Sequence, residues 1–350
     1  MRFKIACIVL AFAGSANADD RQWQLEIHGG VATSTSPSSG TPLLPDPNPT
    51  ATAVPSWYFG DGAQLLREAF RSIRPSISIA SLDQPLKSRF LDRGTDGQFG
   101  LRLGRTLTRR WSAEFSVDQR FGRPSVDDDR RAALDNASAG FINAFSVLMP
   151  PLGGNQSVTS AVSIEQGHAR HIVTTGALTF RLGIGRLAPY GTFGAGATIR
   201  RNESVTAQLT GSYKLGFPVP PGIPFPFVGP SLQETDTVTI HSSNGSTFTA
   251  LFGGGIEYSL AERWGIRFDV RDHVSPNDLR TVVTAAPTAE RSQSSASIIF
   301  IPLLTMPALR FSSSPAIPST LSSTLSDQPT FRGTGIVHQV HASLGVYWRF

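Results

Sequence analysis

The clearest pattern in the chain is a strict alternation of apolar and other residues over its last positions. The apolar positions of this stretch are Val340, Ala342, Leu344, Val346, Trp348 and Phe350. A period of two predicts a β-strand with one apolar face and one wet face. Similar runs are found earlier in the chain. The pattern predicts eight strands, near 22–32, 98–105, 111–121, 171–182, 188–200, 248–260, 264–274 and 336–350.

The connections between these strands alternate in length. Short turns join the second strand to the third, the fourth to the fifth and the sixth to the seventh, whereas the other connections far exceed ordinary hairpin loops. Short turns on one side of a membrane and long loops on the other are typical of an outer-membrane barrel, whose strands span about 9–11 residues. The pattern predicts an all-β fold, an eight-stranded antiparallel up-and-down transmembrane β-barrel with long extracellular loops.

Aromatic residues recur at one end of the predicted strands. Those expected to point outward at the periplasmic edge are Trp23, Trp111, Phe180, Tyr258, Trp264 and Trp348. Aromatic side chains are enriched at the interfaces between lipid and water. The core of a soluble β-sandwich would not place them at a shared level, so we predict an interface girdle.

The start of the chain is typical of a secretory signal peptide. Basic residues at positions 2 and 4 precede an apolar run over 5–14 and an A-x-A cleavage site at 16–18. We predict that residues 1–18 direct Sec export and are removed, which leaves 19–350 as the barrel. Cys7, the one cysteine of the sequence, lies in this leader, so neither a disulfide nor a thiolate site is expected in the mature chain.

Composition narrows the class of protein further. Hydrophobic residues make up 40% of the chain, and the mean hydropathy is −0.07. A helical membrane protein is excluded because no long apolar stretch follows residue 18, whereas barrel strands face lipid with only half of their residues. The net charge of +5 is too small to indicate nucleic-acid binding, but it is compatible with a surface beside lipopolysaccharide phosphates.

Several strand segments resemble the small outer-membrane β-barrels of the OmpA/OmpX type. The segments that carry the resemblance are 99–108, 111–118, 187–196, 253–258 and 263–272. The resemblance implies the outer membrane of a Gram-negative bacterium and no cofactor, and the peptidoglycan-binding domain that OmpA carries is not expected. It also implies that Val346, Trp348 and Phe350 form a C-terminal signal for the barrel-assembly machinery.

Charged residues occupy the predicted inward faces. The acids are Glu26, Glu114, Asp118, Glu257 and Asp269, and the arginines are Arg102, Arg120, Arg181, Arg200, Arg267, Arg271 and Arg349. Eight strands enclose an interior that side chains can fill, and buried charges need partners. We predict a salt-bridged network that plugs the lumen. The alternative is a gate whose ion pairs exchange to pass small ions, and both readings need the same residues.

Candidate catalytic and metal sites are weak. His341 and Ser343 resemble the His/Ser pair of barrel lipid hydrolases such as lipid A deacylases, but their strand phase points into the lumen rather than toward lipid. The acidic run 127–129 could bind calcium, although two arginines follow at once and favour a charged turn. A second set of possible ligands, Glu165, His168 and His171, is interpreted as scattered polar residues. We therefore predict neither an enzyme nor a metal site.

The loops hold apolar material without an assigned role. Apolar residues have helical spacing over 63–73 and, more weakly, over 134–148, while 217–227 is proline-rich and 297–311 is apolar and broken by prolines. These segments either cap the barrel or form a contact surface for an extracellular ligand, lipopolysaccharide or another barrel.

The combined pattern favours a structural or surface-interaction role in the outer membrane. One alternative is a narrow porin-like channel for small solutes or ions, which would need ten or more strands, drawn from 76–86 or 297–311. The second is a lipid A-modifying barrel enzyme, which would need a polar site at the lipid-facing rim. The expected partners are outer-membrane lipid, lipopolysaccharide, the barrel-assembly machinery and an extracellular ligand, but not nucleic acid.

Overall fold

The computed structural model describes most of the chain after residue 21. The described ranges are 22–35, 39–43, 89–92, 94–122, 124–148, 156–167, 169–183, 185–201, 203–216, 231–292, 308–310, 318–320 and 325–350. The signal peptide, the helical pattern over 63–73, the candidate strand over 76–86, the proline-rich segment 217–227 and nearly all of 297–311 lie outside these ranges, so they stay predictions.

The described residues are mostly β-strands. In chain order the elements are β1 (Trp23–Ser34), β2 (Gly40–Pro42), β3 (Leu91–Asp92), β4 (Thr95–Thr106), β5 (Trp111–Gly122), β6 (Ser125–Val126), α1 (Asp128–Leu148), β7 (Ser157–Gln166), β8 (Ala169–Arg181), β9 (Leu187–Arg201), β10 (Ser204–Gly216), β11 (Ser231–Asn244), β12 (Thr247–Ser259), β13 (Trp264–Pro276), β14 (Leu279–Ser292), β15 (Ala308–Arg310), β16 (Pro318–Thr320), β17 (Leu325–Gly333) and β18 (Ile336–Arg349).

Eight of these strands close into an antiparallel barrel. Their order around the wall is β1-β18-β13-β12-β9-β8-β5-β4, with β4 paired back to β1. At the closure, Leu25 of β1 stands opposite Trp348 on one side and Leu103 on the other. Strands that follow one another in the barrel are neighbours in the wall, so the predicted eight-stranded up-and-down barrel is confirmed. The barrel strands overlap all eight predicted runs.

The outer face of the barrel is an apolar belt. Large exposed side chains on this face include Leu25, Ile27, Phe99, Leu101, Phe115, Phe193, Phe252, Phe268, Leu344 and Val346. The short connections from β4 to β5, from β8 to β9 and from β12 to β13 lie at one end, which we call the turn end. A closed barrel with an outward apolar belt is a transmembrane β-barrel, because such a surface is stable only against lipid.

The predicted girdle residues gather at the turn end of this belt. The rings of Trp111 and Phe180 lie 4.9 Å apart on paired strands. The rings of Trp264 and Trp348 stack at 6.2 Å between their centroids. Trp23 and Tyr258 complete the set, and both side chains are exposed on the outer face. This arrangement suits an interface where one side of each ring meets lipid and the other meets water.

Within the described part of the chain, no helix combines the length and the apolar character needed to cross a bilayer.

Beyond the barrel, at the end opposite the turns, the wall continues as a second sheet. Its order is β2-β17-β14-β11-β10-β7. Each of these strands is joined by a short break to a barrel strand, and the order of partners is the same. The residues in these strands were expected to be loops, and for them the expectation does not hold. These strands are rich in Thr, Ser and Ala and lack the large apolar outward residues that contact with lipid requires. The alternation of apolar and polar positions in their sequence is therefore weak. We call this sheet, together with α1, the extension.

The buried face of the extension continues the lumen face of the barrel. In β9 the buried positions are even-numbered and include Tyr190, Thr192, Thr198 and Arg200, whereas in β10 they are odd-numbered and include Val205, Ala207, Leu209 and Tyr213. Glu203 contacts the lumen residues Arg200 and His171, each at 3.1 Å, and it shares the phase of Val205. The side-chain phase therefore shifts by one between Arg200 and Glu203, and the interior changes there from charged to apolar.

Helix α1 packs on this apolar inner face. Leu134, Ala137 and Phe141 are buried, and the Phe141 ring lies 6.5 Å from that of Tyr213. Gly211 makes room for it, because a Cβ there would lie 2.8 Å from the Phe141 ring. The hydroxyls of Ser138 and Ser160 lie 2.6 Å apart and connect the helix to β7.

The helix predicted over 134–148 begins earlier, at Asp128. Asp127 precedes it and caps the first turn: its carboxylate accepts a hydrogen bond from the Asp129 amide at 3.0 Å, and its carbonyl accepts from the amides of Arg130 and Arg131. The acidic run 127–129 therefore starts a helix. An acidic first turn also complements the positive end of the helix dipole.

The belt can be tested by placing a charge at mid-depth. Leu344 stands opposite Phe268 on the outer face, a few residues from the girdle at Trp264 and Trp348. Leu344→Arg is expected to lower the free energy of unfolding in bilayers by about 2–4 kcal/mol, and Ile336→Arg, at the far end of the same outward row, by about 0–1 kcal/mol. Urea titration of both variants in lipid vesicles measures this. Equal losses would contradict a bilayer centred between the two ends.

The core of the extension is tested at Phe141. Truncation by Phe141→Ala is expected to destabilise the extension by about 3–5 kcal/mol, because it removes a fully buried ring and leaves a cavity. Hydrogen exchange should show faster exchange over 204–213 and unchanged protection in the barrel strands. Asn143→Ala, at an exposed position of the same helix, is the matched control. Unchanged exchange in the Phe141→Ala variant would mean that α1 does not stabilise the sheet.

Candidate functional site

The charged residues predicted for the lumen are carried there by the period-two phase of the barrel strands. The carboxylates of Glu26, Glu114, Asp118, Glu257 and Asp269 and the guanidinium groups of Arg102, Arg120, Arg200, Arg267 and Arg271 are buried. Arg181 and Arg349 are partly exposed at the turn end. Arg120 and Arg267 are among the largest fully buried side chains of the described residues. These charges form three groups along the barrel axis.

The middle group, which we call the central cluster, consists of Glu26, Arg102, Glu114, Arg267, Asp269 and Arg271. Nη1 of Arg102 donates to Glu26 at 2.8 Å and to Asp269 at 2.6 Å. The two Nη atoms of Arg267 donate a bidentate pair of hydrogen bonds to the carboxylate of Glu114, at 2.7 and 3.3 Å. Arg271 donates to Glu114 at 3.1 Å and to Asp269 at 3.2 Å. The cluster thus holds three acids and three arginines in alternation across the lumen.

Tyr190 lies in this cluster, although the charge pattern alone did not indicate it. Its hydroxyl donates to Asp269 and accepts a hydrogen bond from Nε of Arg267 at 2.6 Å. The guanidinium carbon of Arg267 also lies 4.2 Å from the centre of the Tyr190 ring, a cation–π contact. The ring has room because Gly255 stands opposite on β12, where a Cβ would overlap the hydroxyl. The even phase of β9 could have indicated this inward tyrosine.

A second group lies at the turn end. Glu257 forms ion pairs with Arg181 at 3.2 Å, with Arg349 at 3.3 Å and with Arg267 of the central cluster at 3.5 Å. Beside it lies a small polar cavity of about 10 Å³ between β1, β4, β5 and β8, which we call the vestibule. The residues that line this vestibule are Gln24, Glu26, Arg102, Gly104, Arg105, Thr106, Ser112, Glu114, Arg181 and Arg267. The vestibule ends at the central cluster.

A third group faces the extension. Nε2 of His28 contacts Asp118 in a short hydrogen bond, and a side chain at position 100 would overlap both. Arg120 donates to Gln339 at 2.6 Å and to Asp96 at 3.1 Å. Closer to the extension, the carboxylate of Glu203 contacts Arg200 and His171. The predicted charge network did not include His28, Asp96, His171 or Glu203, since these residues lie at strand ends or at positions that resemble ordinary polar ones.

The geometry of these groups favours a static seal. Taking a charge out of water is expensive, so a buried ion pair persists only where each charge keeps several partners. In the central cluster every carboxylate contacts at least two arginines, and bidentate contacts such as that of Arg267 with Glu114 resist rotation. The cluster therefore joins β1, β4, β5 and β13 across the lumen through buried ion pairs.

The proposed catalytic and metal residues do not come together as sites. His341 stacks on His273 at 4.0 Å between ring centres, and Ser343 is buried on the same lumen-facing row, away from the lipid-facing surface. Glu165 is exposed on β7, His171 is paired inside with Glu203, and His168 lies outside the described residues. Among the residues that the structure describes, no group of three or more potential ligands could hold a metal ion.

Neither a protein-family model nor a curated protein matches the sequence. Among solved structures, the outer membrane protein OprG from Pseudomonas aeruginosa is 13% identical, with 93% of this chain and 95% of that chain covered and a TM-score of 0.34. An outer membrane channel from Pseudomonas putida F1 is 10% identical, with 96% and 100% covered and a TM-score of 0.23. The P. putida toluene transporter TodX is 8% identical, with 95% and 91% covered and a TM-score of 0.17. Similarity at this level defines neither a family nor a ligand for this chain.

The central cluster is tested by removing one carboxylate. Glu114→Ala removes one of the two carboxylates that Arg267 and Arg271 share and leaves only Asp269, at 3.2 Å from each, between them. Three buried arginines then face two acids, so we expect a loss of about 3–5 kcal/mol in the free energy of unfolding. Tryptophan fluorescence during urea unfolding in vesicles measures it. Glu262→Ala, in the exposed turn 260–263, is the control and should change stability little. A loss below about 1 kcal/mol for Glu114→Ala, the value of a surface pair, would mean that water fills the lumen.

Proposed function

We propose that this protein is a closed β-barrel anchor in the outer membrane of a Gram-negative bacterium, and that its folded extension is a surface for interactions outside the cell. In this proposal the chain is exported and its first 18 residues are removed. The turn end faces the periplasm and the extension faces outward. The role is structural or adhesive rather than catalytic.

The observation that carries this proposal is the pairing in the central cluster. Three acids and three arginines share one layer of the lumen, and their hydrogen bonds run from β1 and β4 across to β13. An ion that passed this layer would have to displace bonds between fully buried charges. A second closure of different chemistry lies beyond it, where α1 packs on the apolar inner face of β10. Closure of the interior at two successive levels supports the role of an anchor rather than that of a pore.

The proposal that the protein is not an enzyme follows from the position of the candidate pair. A lipid A-modifying site has to meet lipid at the rim. His341 instead stacks on His273 inside the lumen, and its Nε2 atom has no hydrogen-bond partner among the described residues. No hydrogen bond joins the described side chains of Ser343 and His341, so His341 is not placed to act as a general base for that hydroxyl.

Partners and ancestry are proposals of the same kind. A relationship to OmpA/OmpX-type barrels is supported by the eight-stranded up-and-down topology and the small size of the barrel. Val346, Trp348 and Phe350 form an outward row on β18 and are the proposed contact for the barrel-assembly machinery. The outer face offers a surface for membrane lipid and lipopolysaccharide, and the extension offers one for an extracellular ligand.

A narrow channel for ions or small solutes is the second candidate. The vestibule favours it, because polar walls lead from the turn end to the central cluster. The shared partners of Glu114, which contacts both Arg267 and Arg271, would allow one pair to re-form as another opens. In this reading the central cluster is a gate rather than a seal.

Single-channel recording distinguishes the two candidates. Refolded protein in a planar bilayer is expected to be electrically silent, because both closures block the lumen. Folding is verified in the same preparation by the heat-shifted mobility of the barrel on gels. A Glu114→Ser/Arg267→Ser variant, which removes both members of one pair, is the matched comparison. Discrete, reproducible steps from the unmodified protein would overturn the anchor and support the channel.

A further inference from the structure

Two arginines stand side by side on the outer surface of the barrel wall. Arg170 of β8 and Arg201 of β9 are direct cross-strand partners, and both side chains are exposed. Both belong to the outward rows of their strands, as do Ile172 and Ile199 next to them. Like charges directly opposite one another destabilise a strand pair. Such a pair therefore favours an anion between the two guanidinium groups.

The described part of the protein does not supply that anion. Glu203 is the acid closest in sequence to Arg201, but it turns inward and is bonded to Arg200 and His171. Glu165, the acid closest in sequence to Arg170, lies on β7 opposite Thr206, beyond the end of the barrel strands. No ion pair joins Arg170 or Arg201 to any acid of the described residues.

The height of the pair matches the outer headgroup layer of a bilayer. Arg170 stands ten residues before Phe180 on β8, and Phe180 belongs to the girdle at the turn end. Ten residues of strand span about 33 Å. With a strand tilt of about 35–45°, this corresponds to roughly 25 Å along the membrane normal, the height of the apolar band in such barrels. The girdle and the arginine pair therefore mark the two faces of the bilayer.

The neighbours of the pair are apolar on the membrane side. Ile172 and Ile199 are the next outward cross-strand pair toward the turn end. Phe121 of β5 stands directly opposite Arg170, and its ring is exposed. An occupant that fits this surface has an anionic head at the level of the arginines and hydrocarbon chains that lie along the isoleucines and the phenylalanine.

We propose that Arg170 and Arg201 form a clamp for a phosphoryl group of lipopolysaccharide in the outer leaflet. Two guanidinium forks can donate parallel hydrogen bonds to the oxygens of one phosphate, and arginine is less strongly hydrated than lysine in such contacts. Lipopolysaccharide combines phosphate with acyl chains at this depth. The inference rests on the proposed location in the outer membrane with the extension facing outward.

A second arginine pair in the same molecule provides a matched control. Arg280 of β14 and Arg332 of β17 are also direct cross-strand partners on the outer face. They differ in two respects. Arg280 has an acidic partner, Asp278, at 3.3 Å. It also stands sixteen residues beyond Trp264 along the wall, which is above the apolar band, so a membrane lipid would not reach it.

The test measures lipid binding by the full-length protein in neutral detergent. Lipid A carrying both phosphates and chemically dephosphorylated lipid A are titrated separately, and native mass spectrometry counts the bound lipid. The unmodified protein is expected to prefer the phosphorylated form by about tenfold, equal to about 1.4 kcal/mol. Arg170→Gln/Arg201→Gln should lose this preference, while Arg280→Gln/Arg332→Gln should keep it. Added salt should weaken the preference.

Two outcomes would overturn the clamp. One is a preference for phosphorylated lipid A that survives in the Arg170→Gln/Arg201→Gln variant. The other is equally tight, arginine-dependent binding of phosphatidylglycerol, which would assign the site to any anionic headgroup. Heat-shifted gel mobility shows that each variant is folded. Conductance recorded on the same preparation reports on the anchor proposal, so failure of the clamp and failure of the closed lumen are distinguishable.

Discussion

A backbone inside a lipid bilayer has no water to bond with, and this constraint determines most of the structure. Each N–H and C=O group of the membrane-spanning strands has to find a partner in a neighbouring strand, so the sheet has to close. Closure occurs where β1 pairs with both β18 and β4. With eight strands, the enclosed space is narrow enough for side chains to fill. Because outward positions must be apolar, inward positions carry the polar residues, and those residues have to neutralise one another.

Beyond the membrane, the opposite constraint applies to the same wall of strands. In the extension, water surrounds the outer face, so the apolar residues turn inward. The phase shift between Arg200 of β9 and Glu203, directly before β10, accompanies this change. Phe141 of α1 then packs on the apolar inner face of β10, beside Tyr213. The interior is lined by ion pairs at one level and by an apolar core at the other, so different interactions stabilise the two levels.

The sequence predicted those features of the strands that contact with lipid constrains most strongly. Outward rows such as Trp264, Ile266 and Phe268 produce an unmistakable period of two, and the phase of each strand then assigns Arg267 and Asp269 to the lumen. Pairing partners did not follow from phase, because the contact of Arg102 with Asp269 depends on how strands on opposite sides of the barrel face each other. The phase of β9 does place Tyr190 inward, but its contacts with Arg267 and Asp269 likewise depend on the packing across the lumen.

The extension was harder to predict, since its strands carry small residues and no lipid selects their outer face. On β10, Val205, Ala207 and Leu209 alternate with Thr206, Gln208 and Thr210, a weak contrast next to that of β13. The start of α1 was also ambiguous, because an acidic run can cap a helix or bind calcium. The hydrogen bond from the Asp129 amide to Asp127 distinguishes these, but it is a local geometric fact that composition does not contain.

The distribution of charge differs between the lumen and the outer face of the barrel. The central cluster balances three arginines with three acids, so it presents little net charge to a solute at its mouth. In the turn-end group, Glu257 is shared by two arginines, Arg181 and Arg349, and Asp118 is bonded to His28 in the group that faces the extension. The net charge of the chain is nevertheless +5. Part of the excess stands on the outside of the wall, at Arg170 and Arg201, where the described acids do not reach it. The charges of the lumen are therefore largely compensated within the protein, whereas the pair on the outer face is left for an anion from the surroundings, as the proposed clamp requires.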